Sequence, residues 1–306
     1  VIPGNAGGVQ VTVINRFAAF FAGVFGFDPM EVRAMATAVV HPTAACAFAL
    51  FAENDLRAAF LLLRIQAAGV HAGTDLTLRW AGNIQGPCEY GTSASIEFGV
   101  QCQGGRVQAP FQPLPDLYAV SDFAPGGPLW NTYAGDRYCI RPQNPAQPIL
   151  LDAHPAGAVA PSPNQCIPAQ RVRLQNGLYY LEGAARVLRS QGGAPIRATI
   201  TLAATGSLIL DDPNHRYELQ PALNDPQRGA PLLVAGQAIT ITSPYFWWIG
   251  LILARNGPVG LSATTGAWSD RGAIYGKRLD LRGGFLQVSF DPTICPAGAP
   301  RVELLR

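Results

Sequence analysis

Short apolar segments separated by small-residue turns recur between Gly177 and Phe290. In each copy a few apolar residues precede a turn, usually with glycine, and an alternating apolar–polar run follows it. The copies are LYYLEGAARVL (178–188), ITLAATGSLIL (200–210), PLLVAGQAITI (231–241), LILARNGPVGLS (251–262) and AIYGKRLDL (273–281). Ile241, Leu261 and Leu281 are evenly spaced. Because alternation is typical of strands, a repeat of roughly 20 residues predicts a β-solenoid, in which each coil buries its apolar row on the next.

The first 44 residues follow a different pattern. Residues 9–17 and 31–40 alternate and predict two strands, whereas the Phe-rich run at 17–27 predicts a short buried helix. This strand–helix–strand segment (1–44) would cap one end of the solenoid, whose terminal coil must be covered. Contact with a membrane surface is the alternative for the Phe-rich run, but it lacks the basic face typical of such helices.

Changes in composition divide the rest of the chain. Residues 45–110 are predicted to form the first coils. Residues 111–176 are dense in proline and glycine, which indicates a long ordered excursion. The main coils then occupy 177–295, and 296–306 form a tail, either a surface strand or a loop. The predicted fold is therefore all-β, a β-solenoid with a small N-terminal segment.

Composition favours an ordered β protein without affinity for nucleic acid. Hydrophobic residues make up 48% of the 306 positions and charged residues only 14%, against a usual quarter. The 33 glycines and 26 prolines are spread among apolar runs, so they indicate turns rather than disorder. A net charge of +2 gives no strong attraction to nucleic acid, and no nucleic-acid partner is expected.

Six dispersed cysteines favour disulfides and an exported location, since none forms a CxxC pair or has a histidine at ligand spacing. The candidate pairs, beginning with the preferred one, are Cys88 with Cys102, Cys139 with Cys166, and Cys46 with Cys295. The first pair flanks an apparent hairpin, the second would close the Pro-rich middle, and the third would join the two ends. Spacing alone does not fix the connectivity.

The beginning of the chain bears on its location. No apolar run reaches the roughly 18 residues of a spanning helix. The chain begins at Val1 rather than at a methionine. We therefore expect that a start, signal or anchor segment precedes Val1 in the natural protein.

One tight cluster combines acids, an imidazole and a guanidinium: Asp211, Asp212, His215 and Arg216, in LDDPNHRYE. Paired carboxylates are ligands for Ca²⁺, and the arginine suits a sugar acid. The cluster falls in a turn that contains asparagine and proline, where aspartate is expected to bond to the backbone. A turn is therefore favoured over a site.

No other group of residues indicates catalysis. Motifs of the GxSxG type and phosphate-binding glycine loops are absent from the sequence. The histidines are far apart and each lies close to a turn residue, which indicates structural or exposed roles: His41, His71, His154 and His215. The sequence predicts no catalytic residue, no cofactor and no metal.

The run Tyr245–Trp248 is the most unusual local feature. Inward and outward positions alternate on a strand, so at least one of its tryptophans should point outward. A core aromatic stack and a contact surface are equally expected here, since Trp and Tyr are enriched among the residues that dominate binding energy. A sugar platform is a variant of the contact surface. The candidate interface residues are Phe246, Trp247, Trp248, Phe20 and Phe21.

Several stretches resemble pilus-assembly proteins of the tight-adherence type, the TadE/TadG-like group. They are GVQVTVINRFAAFFAGVFGFDPMEVRAMATAVV (8–40), CAFALFAENDLR (46–57), GVHAGTDLTLRWAGNIQGPCEYGTSASI (69–96), PDLYAVSDFAPGG (115–127) and NGLYYLEG (176–183). The resemblance implies a transmembrane anchor upstream of Val1 and a right-handed parallel β-helix outside the membrane. The chain departs from the polar coil faces of that group at Arg79–Trp80 and at Phe246–Trp248, which marks both as candidate partner surfaces.

The sequence thus predicts a non-enzymatic, extracytoplasmic structural or adhesive component of a pilus-like or cell-envelope assembly. Its expected partners are other proteins or further copies of itself, and the membrane through an upstream anchor. A β-helix that binds carbohydrate or acts on polysaccharide is one alternative. An accessory subunit of a larger membrane complex, docked through residues 17–27 or Trp247–Trp248, is another. An outward row of acids would favour the carbohydrate alternative, and an outward apolar row the structural one.

Overall fold

The computed structural model describes residues 7–17, 30–41, 46–97, 99–153, 158–188, 195–212, 214–224, 229–295 and 301–305. These residues are mostly β, as the sequence predicts. The chain divides into two compact units, the first made of Val1–Ala44 with Gly298–Arg306 and the second of Ala45–Ala297.

The first unit contains a three-stranded antiparallel sheet. Its strands are β1 (Gly7–Phe17), β2 (Met30–His41) and β22 (Arg301–Leu305). Strand β2 lies in the middle and pairs with both others. Residues 301–305 of the predicted tail therefore form a strand of this unit. The helix predicted at 17–27, with Phe20 and Phe21, falls between the described strands and lies outside the described residues.

The described part of the second unit contains nineteen strands in one sheet. They are β3 (Phe48–Ala52), β4 (Leu56–Gln66), β5 (Gly69–Ala72), β6 (Asp75–Ile84), β7 (Cys88–Tyr90), β8 (Ser93–Ile96), β9 (Gly99–Cys102), β10 (Arg106–Gln108), β11 (Arg137–Arg141), β12 (Ile149–Asp152), β13 (Cys166–Pro168), β14 (Arg171–Arg173), β15 (Gly177–Leu181), β16 (Ala185–Leu188), β17 (Ile196–Ala204), β18 (Leu208–Asp211), β19 (Tyr217–Gln220), β20 (Pro231–Ala235) and β21 (Ile239–Ser289). Helix α1 (Pro128–Thr132) and two 3-10 turns, Val120–Phe123 and Pro292–Ile294, complete the described elements.

Parallel pairing of distant strands builds the second unit. Leu56 in β4 faces Leu76 in β6, and Leu208 in β18 faces Ile239 in β21. The stretch of chain between the second pair is clearly longer than that between the first. The repeat seen in the sequence therefore appears as parallel register, but its length is uneven. Strand β21 runs for 51 residues and pairs in turn with β18, β19, β20, β3 and β4, so it changes direction several times.

The order of strands in the sheet differs from the order in the chain. The end of β21 pairs with the first strands of the unit: Ile274 faces Leu50 in β3, and Phe285 faces Leu62 in β4. Pairing then continues from β4 to β6 and on to β9. The sequence analysis placed residues 45–110 before the main coils, but in the sheet they follow them. Hydrophobic periodicity carries no information about which of several similar strands become neighbours.

The Pro-rich excursion is shorter than the sequence suggested. Residues 109–119 contain no strand, and the turn at Val120–Phe123 and helix α1 follow. From Arg137 onward the chain rejoins the sheet, because β11 pairs with β15 and β12 with β16. Strands of the sheet therefore occur within the range 111–176 that the sequence predicts as the excursion. Residues of the excursion, including Phe123 and Trp130, bury their side chains in a second hydrophobic cluster outside the main core.

The main core lies on the inward side of the strands. In β4 the buried and exposed positions alternate except at Leu61–Leu62, where two exposed residues follow each other. Trp248, Phe60 and Tyr179 are among the largest fully buried side chains. Complete burial of a side chain of this kind contributes about 1.5–3 kcal/mol to folding. The same alternation places a second set of side chains in solvent, and the candidate sites lie there.

Candidate functional site

All six cysteines are paired in three disulfides: Cys46–Cys295, Cys88–Cys102 and Cys139–Cys166. These are the same pairs that the sequence analysis put forward. The hairpin expected between Cys88 and Cys102 is wrong, however, because β7 pairs in parallel with β5 and β10, and β9 pairs in parallel with β6. The bridge therefore links segments of a parallel arrangement.

The disulfide with the largest sequence separation, Cys46–Cys295, joins the beginning and the end of the second unit. Cys46 precedes β3 and Cys295 follows β21, and their Cα atoms are 6.0 Å apart. Both side chains are buried. Three disulfides indicate an oxidising, extracytoplasmic environment. Among the residues that the structure describes, no helix is long and apolar enough to cross a membrane.

The aromatic run divides between the inside and the outside of β21. Phe246 and Trp248 are fully buried and stack with ring centroids 5.1 Å apart. Of the two alternatives expected here, Phe246 and Trp248 form the core aromatic stack and not a contact surface, because alternation along the strand points both into the core. Tyr245 and Trp247 are only partly buried. The expectation that at least one tryptophan points outward is confirmed by Trp247.

Trp247 lies in a row of outward side chains on three neighbouring strands, β17, β19 and β21. Arg197 in β17 faces Glu218 in β19, and Glu218 faces Trp247 in β21. Arg197 Nε donates a hydrogen bond to Glu218 Oε2 at 2.6 Å, and Trp247 Nε1 donates one to Asp270 Oδ2 at 3.2 Å. Parallel register thus places charged and aromatic groups side by side. We call this row, from Arg197 to Asp270, the Trp247 surface.

An open groove of about 300 Å³ lies along the Trp247 surface. Its lining is Asn176, Arg197, Ala198, Thr199, Glu218, Gln220 and Trp247. A second cavity of about 180 Å³ shares Asn176, Arg197 and Ala198 with it. Trp247 was singled out from the sequence, but its polar neighbours were missed. No local motif reports them, because only the strand register brings these separate segments together.

The cluster at 211–216 is a turn with a buried contact between a carboxylate and a histidine. Asp212 and His215 are buried, and their Oδ2 and Nδ1 atoms are 3.0 Å apart, although they are not aligned for a hydrogen bond. Asp212 Oδ1 accepts a hydrogen bond from the backbone N–H of Asn214, which is the turn role expected from the sequence. Asp211 points outward and pairs with Arg186 at 3.0 Å. The two carboxylates therefore do not converge on one ligand.

Arg216 also turns away from this cluster, since its guanidinium lies 5.8 Å from the ring centroid of Tyr245. Ser243 donates a hydrogen bond to the carbonyl of His215 at 2.7 Å and so fixes the turn against β21. Burial raises the pKa of the neighbouring Tyr217, and the charges of Asp212 and Asp211 raise it further. The described contacts of the group are those of a packed turn.

His71 forms a second buried histidine–carboxylate pair. Its Nδ1 lies 3.0 Å from Glu89 Oε2, and its ring stacks on Phe51 with centroids 4.6 Å apart. The residue is completely buried, whereas Glu89 reaches solvent in part. The side chain of His41 and the whole of His154 lie outside the described residues. Within the described ranges no three His, Cys, Asp or Glu side chains form a group that could hold a metal ion.

The fold and the bridges define a disulfide-bonded, all-β protein with a large parallel sheet. A scan against models of protein families, a search of curated proteins and a search of solved structures each found no match. The resemblance to the TadE/TadG-like group therefore stays a prediction from the quoted motifs.

Proposed function

We propose that the protein is a non-enzymatic, extracytoplasmic scaffold that serves as a structural or adhesive part of a cell-envelope assembly. In this proposal the parallel strands form an uneven, right-handed β-solenoid, and an anchor upstream of Val1 holds it at the membrane. Its outward rows then present binding surfaces to protein partners or to further copies of the chain. A pilus-like assembly of the tight-adherence type is the particular setting that the sequence resemblance favours.

The observation that carries this proposal is the Cys46–Cys295 bridge. It covalently joins the two ends of a unit whose first strands pair with its last. Its sequence separation is 249 residues, and closing so long a loop strongly restricts the unfolded chain. Such a unit resists opening from either end, which suits a part that bears load outside the cell.

The proposal is tested on protein taken from the cells that naturally produce it. Thiols are blocked before lysis, and the protein is then mapped by mass spectrometry after non-reducing digestion. We expect to find all three disulfides. We also expect the protein to fractionate with the cell envelope as part of a large assembly, and to be degraded when protease is added to intact cells. Free thiols in the cytoplasmic fraction, or a monomer that intact cells protect from protease, would reject the proposal.

Carbohydrate binding is a second candidate, favoured by the groove on the Trp247 surface. A partly exposed indole beside amide and charged side chains is a suitable lining for a sugar ring and its hydroxyls. Arg197 adds a planar guanidinium that can bond to the carboxylate of an acidic sugar. Glycan binding would also suit an adhesive role, so this candidate differs from the first chiefly in its partner.

The test for carbohydrate binding uses a panel of oligosaccharides that includes uronic-acid polymers. If the groove binds a member of the panel, Trp247→Ala should weaken that binding at least tenfold. Trp268→Ala is the matched control, because Trp268 is a partly exposed tryptophan of the same strand outside the groove. Equal losses in both variants, or no binding at all, would reject this candidate and leave the scaffold proposal intact.

A further inference from the structure

Four large apolar residues lie at neighbouring register positions of β4, β6 and β21. Leu61, Leu62 and Trp80 expose 61%, 54% and 56% of their surface. Phe285 faces Leu62 across the strand pair and is partly buried. We call these four residues the Trp80 patch. A cluster of this kind on a soluble surface is unusual and marks an interaction site.

A β-bulge creates the patch. Phe60 faces Trp80, and Leu63 faces Gly82. Leu61 and Leu62 on β4 therefore both oppose one residue on β6, the alanine that lies between Trp80 and Gly82. The extra residue breaks the alternation of β4, and both leucines point outward while Phe60 and Leu63 remain buried. Bulges that re-aim side chains in this way are features of functional surfaces.

Trp80 adds a second irregularity at the same place. Its φ is +80°, a left-handed conformation that bulky side chains rarely adopt. Its backbone N–H donates to the carboxylate of Glu97, which holds the residue in this conformation. The strained backbone turns the indole into solvent. Strain of this kind persists where the surrounding structure fixes it, and it is concentrated at functional positions.

Three exposed arginines surround the patch. Arg64 follows Leu62 by two residues, Arg79 precedes Trp80, and Arg282 lies three residues before Phe285. None of them has a hydrogen-bond or ion-pair partner among the residues of the chain that the structure describes. The patch therefore combines protruding apolar groups with a rim of three arginines beside the single carboxylate that bonds to Trp80, that of Glu97.

We propose that the Trp80 patch binds the surface of an anionic lipid bilayer. Leucine and tryptophan side chains enter the boundary between headgroups and acyl chains, and the arginines contact lipid phosphates. This contact lies on the main unit itself and is separate from any anchor upstream of Val1. It would hold the sheet against the membrane in a fixed orientation.

The charge of the rim decides between a bilayer and a second copy of the chain. In a symmetric contact between two copies, the same patch would lie on both sides and would bring the two sets of arginines together. Each side would then carry three arginines against the carboxylate of Glu97, and the excess of like charge opposes such a contact. An anionic bilayer supplies phosphates to all three guanidiniums and a fluid apolar layer that adapts to protruding side chains.

The experiment measures flotation of the full chain with two kinds of vesicle, pure phosphatidylcholine and phosphatidylcholine mixed with phosphatidylglycerol. We expect binding only to the anionic vesicles, and we expect higher salt to weaken it. Leu61→Ser with Leu62→Ser should reduce the affinity at least tenfold, and Arg64→Gln with Arg79→Gln and Arg282→Gln should do the same. Val159→Ser, at an apolar position 57% exposed elsewhere on the sheet, should leave binding unchanged.

A second measurement reports how deeply the patch enters the bilayer, and its main readout uses the parent protein. Vesicles that carry brominated acyl chains should quench the fluorescence of the parent protein, and Trp80→Phe should remove most of that quenching. Absence of binding to anionic vesicles, or equal binding to neutral ones, would overturn the proposal. It would also be overturned if the patch variants abolished self-association in sedimentation velocity while vesicle binding persisted, since a second copy would then occupy the patch.

Discussion

Trp80 and Trp247 both lie on outward positions of one large parallel sheet, yet their surroundings have opposite character. Trp247 donates a hydrogen bond to Asp270 and adjoins the Arg197–Glu218 ion pair. Trp80 adjoins two exposed leucines and arginines without partners among the described residues. One tryptophan belongs to a polar surface whose groups bond to one another, and the other to an apolar surface whose arginines have no partner among the described residues.

The two surfaces also differ in how the chain assembles them. The Trp247 surface comes from strands that lie close in sequence, β17, β19 and the first part of β21. The Trp80 patch requires the end of β21 to pair with β4, which brings Phe285 to Leu62. Contacts between distant segments carry a larger cost in chain entropy. The Trp80 patch should therefore depend more strongly on whatever holds the two ends of the unit together.

The largest expected effect separates the inside of β21 from its outside. Trp248→Ala should lower the free energy of unfolding by about 3–5 kcal/mol, because it empties a fully buried position. Trp247→Ala on the same strand should cost about 1 kcal/mol or less, since it removes one solvent-accessible hydrogen bond. Urea denaturation of both variants measures the difference. Similar losses would contradict the assignment of inward and outward positions.

Removal of the Cys46–Cys295 bridge should affect the two surfaces unequally. The double variant Cys46→Ala, Cys295→Ala should lose about 2–5 kcal/mol of stability. Hydrogen exchange should accelerate in β3, β4 and the end of β21, while β17 and β19 keep their protection. Cys139→Ala with Cys166→Ala, which removes a bridge spanning 27 residues, is the control and should not accelerate exchange in β4. Uniform acceleration in both double variants would contradict the contrast between local and distant assembly.

Alkaline pH should weaken the core packing between β19 and β21. Tyr217 packs edge-on against Phe246, with centroids 6.4 Å apart, and burial raises its pKa above the ordinary value of 10.0. Because the folded protein favours the neutral phenol, this contribution is complete below about pH 10 and is lost as the pH rises above that value.

Tyr217→Phe should therefore shift the alkaline unfolding midpoint to higher pH, as followed by circular dichroism and tyrosinate absorbance. The hydroxyl of Tyr217 has no hydrogen-bond partner among the described residues, so its removal should not destabilise the protein at neutral pH. Tyr90→Phe in β7 is the control, and it should leave the midpoint in place. An unchanged midpoint in Tyr217→Phe would show that another group governs alkaline unfolding.

The smallest expected effect concerns the backbone of Trp80. Glycine adopts a φ of +80° without strain, so Trp80→Gly should raise stability by up to about 1 kcal/mol after the entropy of the unfolded glycine is counted. Trp80→Ala keeps the strain and should bring no gain. Thermal unfolding of the two variants tests this. A lower melting temperature for Trp80→Gly than for Trp80→Ala would contradict the strained conformation.

The repeats illustrate how far the sequence reaches. The apolar runs at 178–188, 200–210 and 231–241 coincide with strands that pair in parallel, and their period follows from burial of alternate residues. The sequence predicts that the excursion lasts until residue 176. Its prolines and glycines interrupt the apolar–polar alternation, so the short strands β11 to β14 are not recognised there. These strands form because the sheet supplies their hydrogen bonds and buries Tyr138 and Ile140.

The candidate sites show the same limit. The sequence singled out Trp247 and Arg79–Trp80, since bulky aromatic residues stand out in chains with small coil residues. It did not distinguish Trp247 from the buried Phe246 and Trp248, because a run of four aromatics has no internal polarity that sets its phase. It also gave no sign of Leu61 and Leu62, whose exposure depends on a bulge that only the register with β6 creates.

The sequence by itself determined that this protein is a β protein built from short repeated strands, and it put forward the three cysteine pairs found in the structure. Alternation is a local feature, because it follows from burial of one strand face. The cysteine pairs were put forward from the positions of the cysteines along the chain, and the structure selects them among the fifteen pairings that six cysteines allow. Only the tertiary structure decided that the last strands pair with the first, and that Phe285 therefore meets Leu62 beside Trp80. Each such pairing is one choice among many similar strands, and packing of the whole sheet selects it.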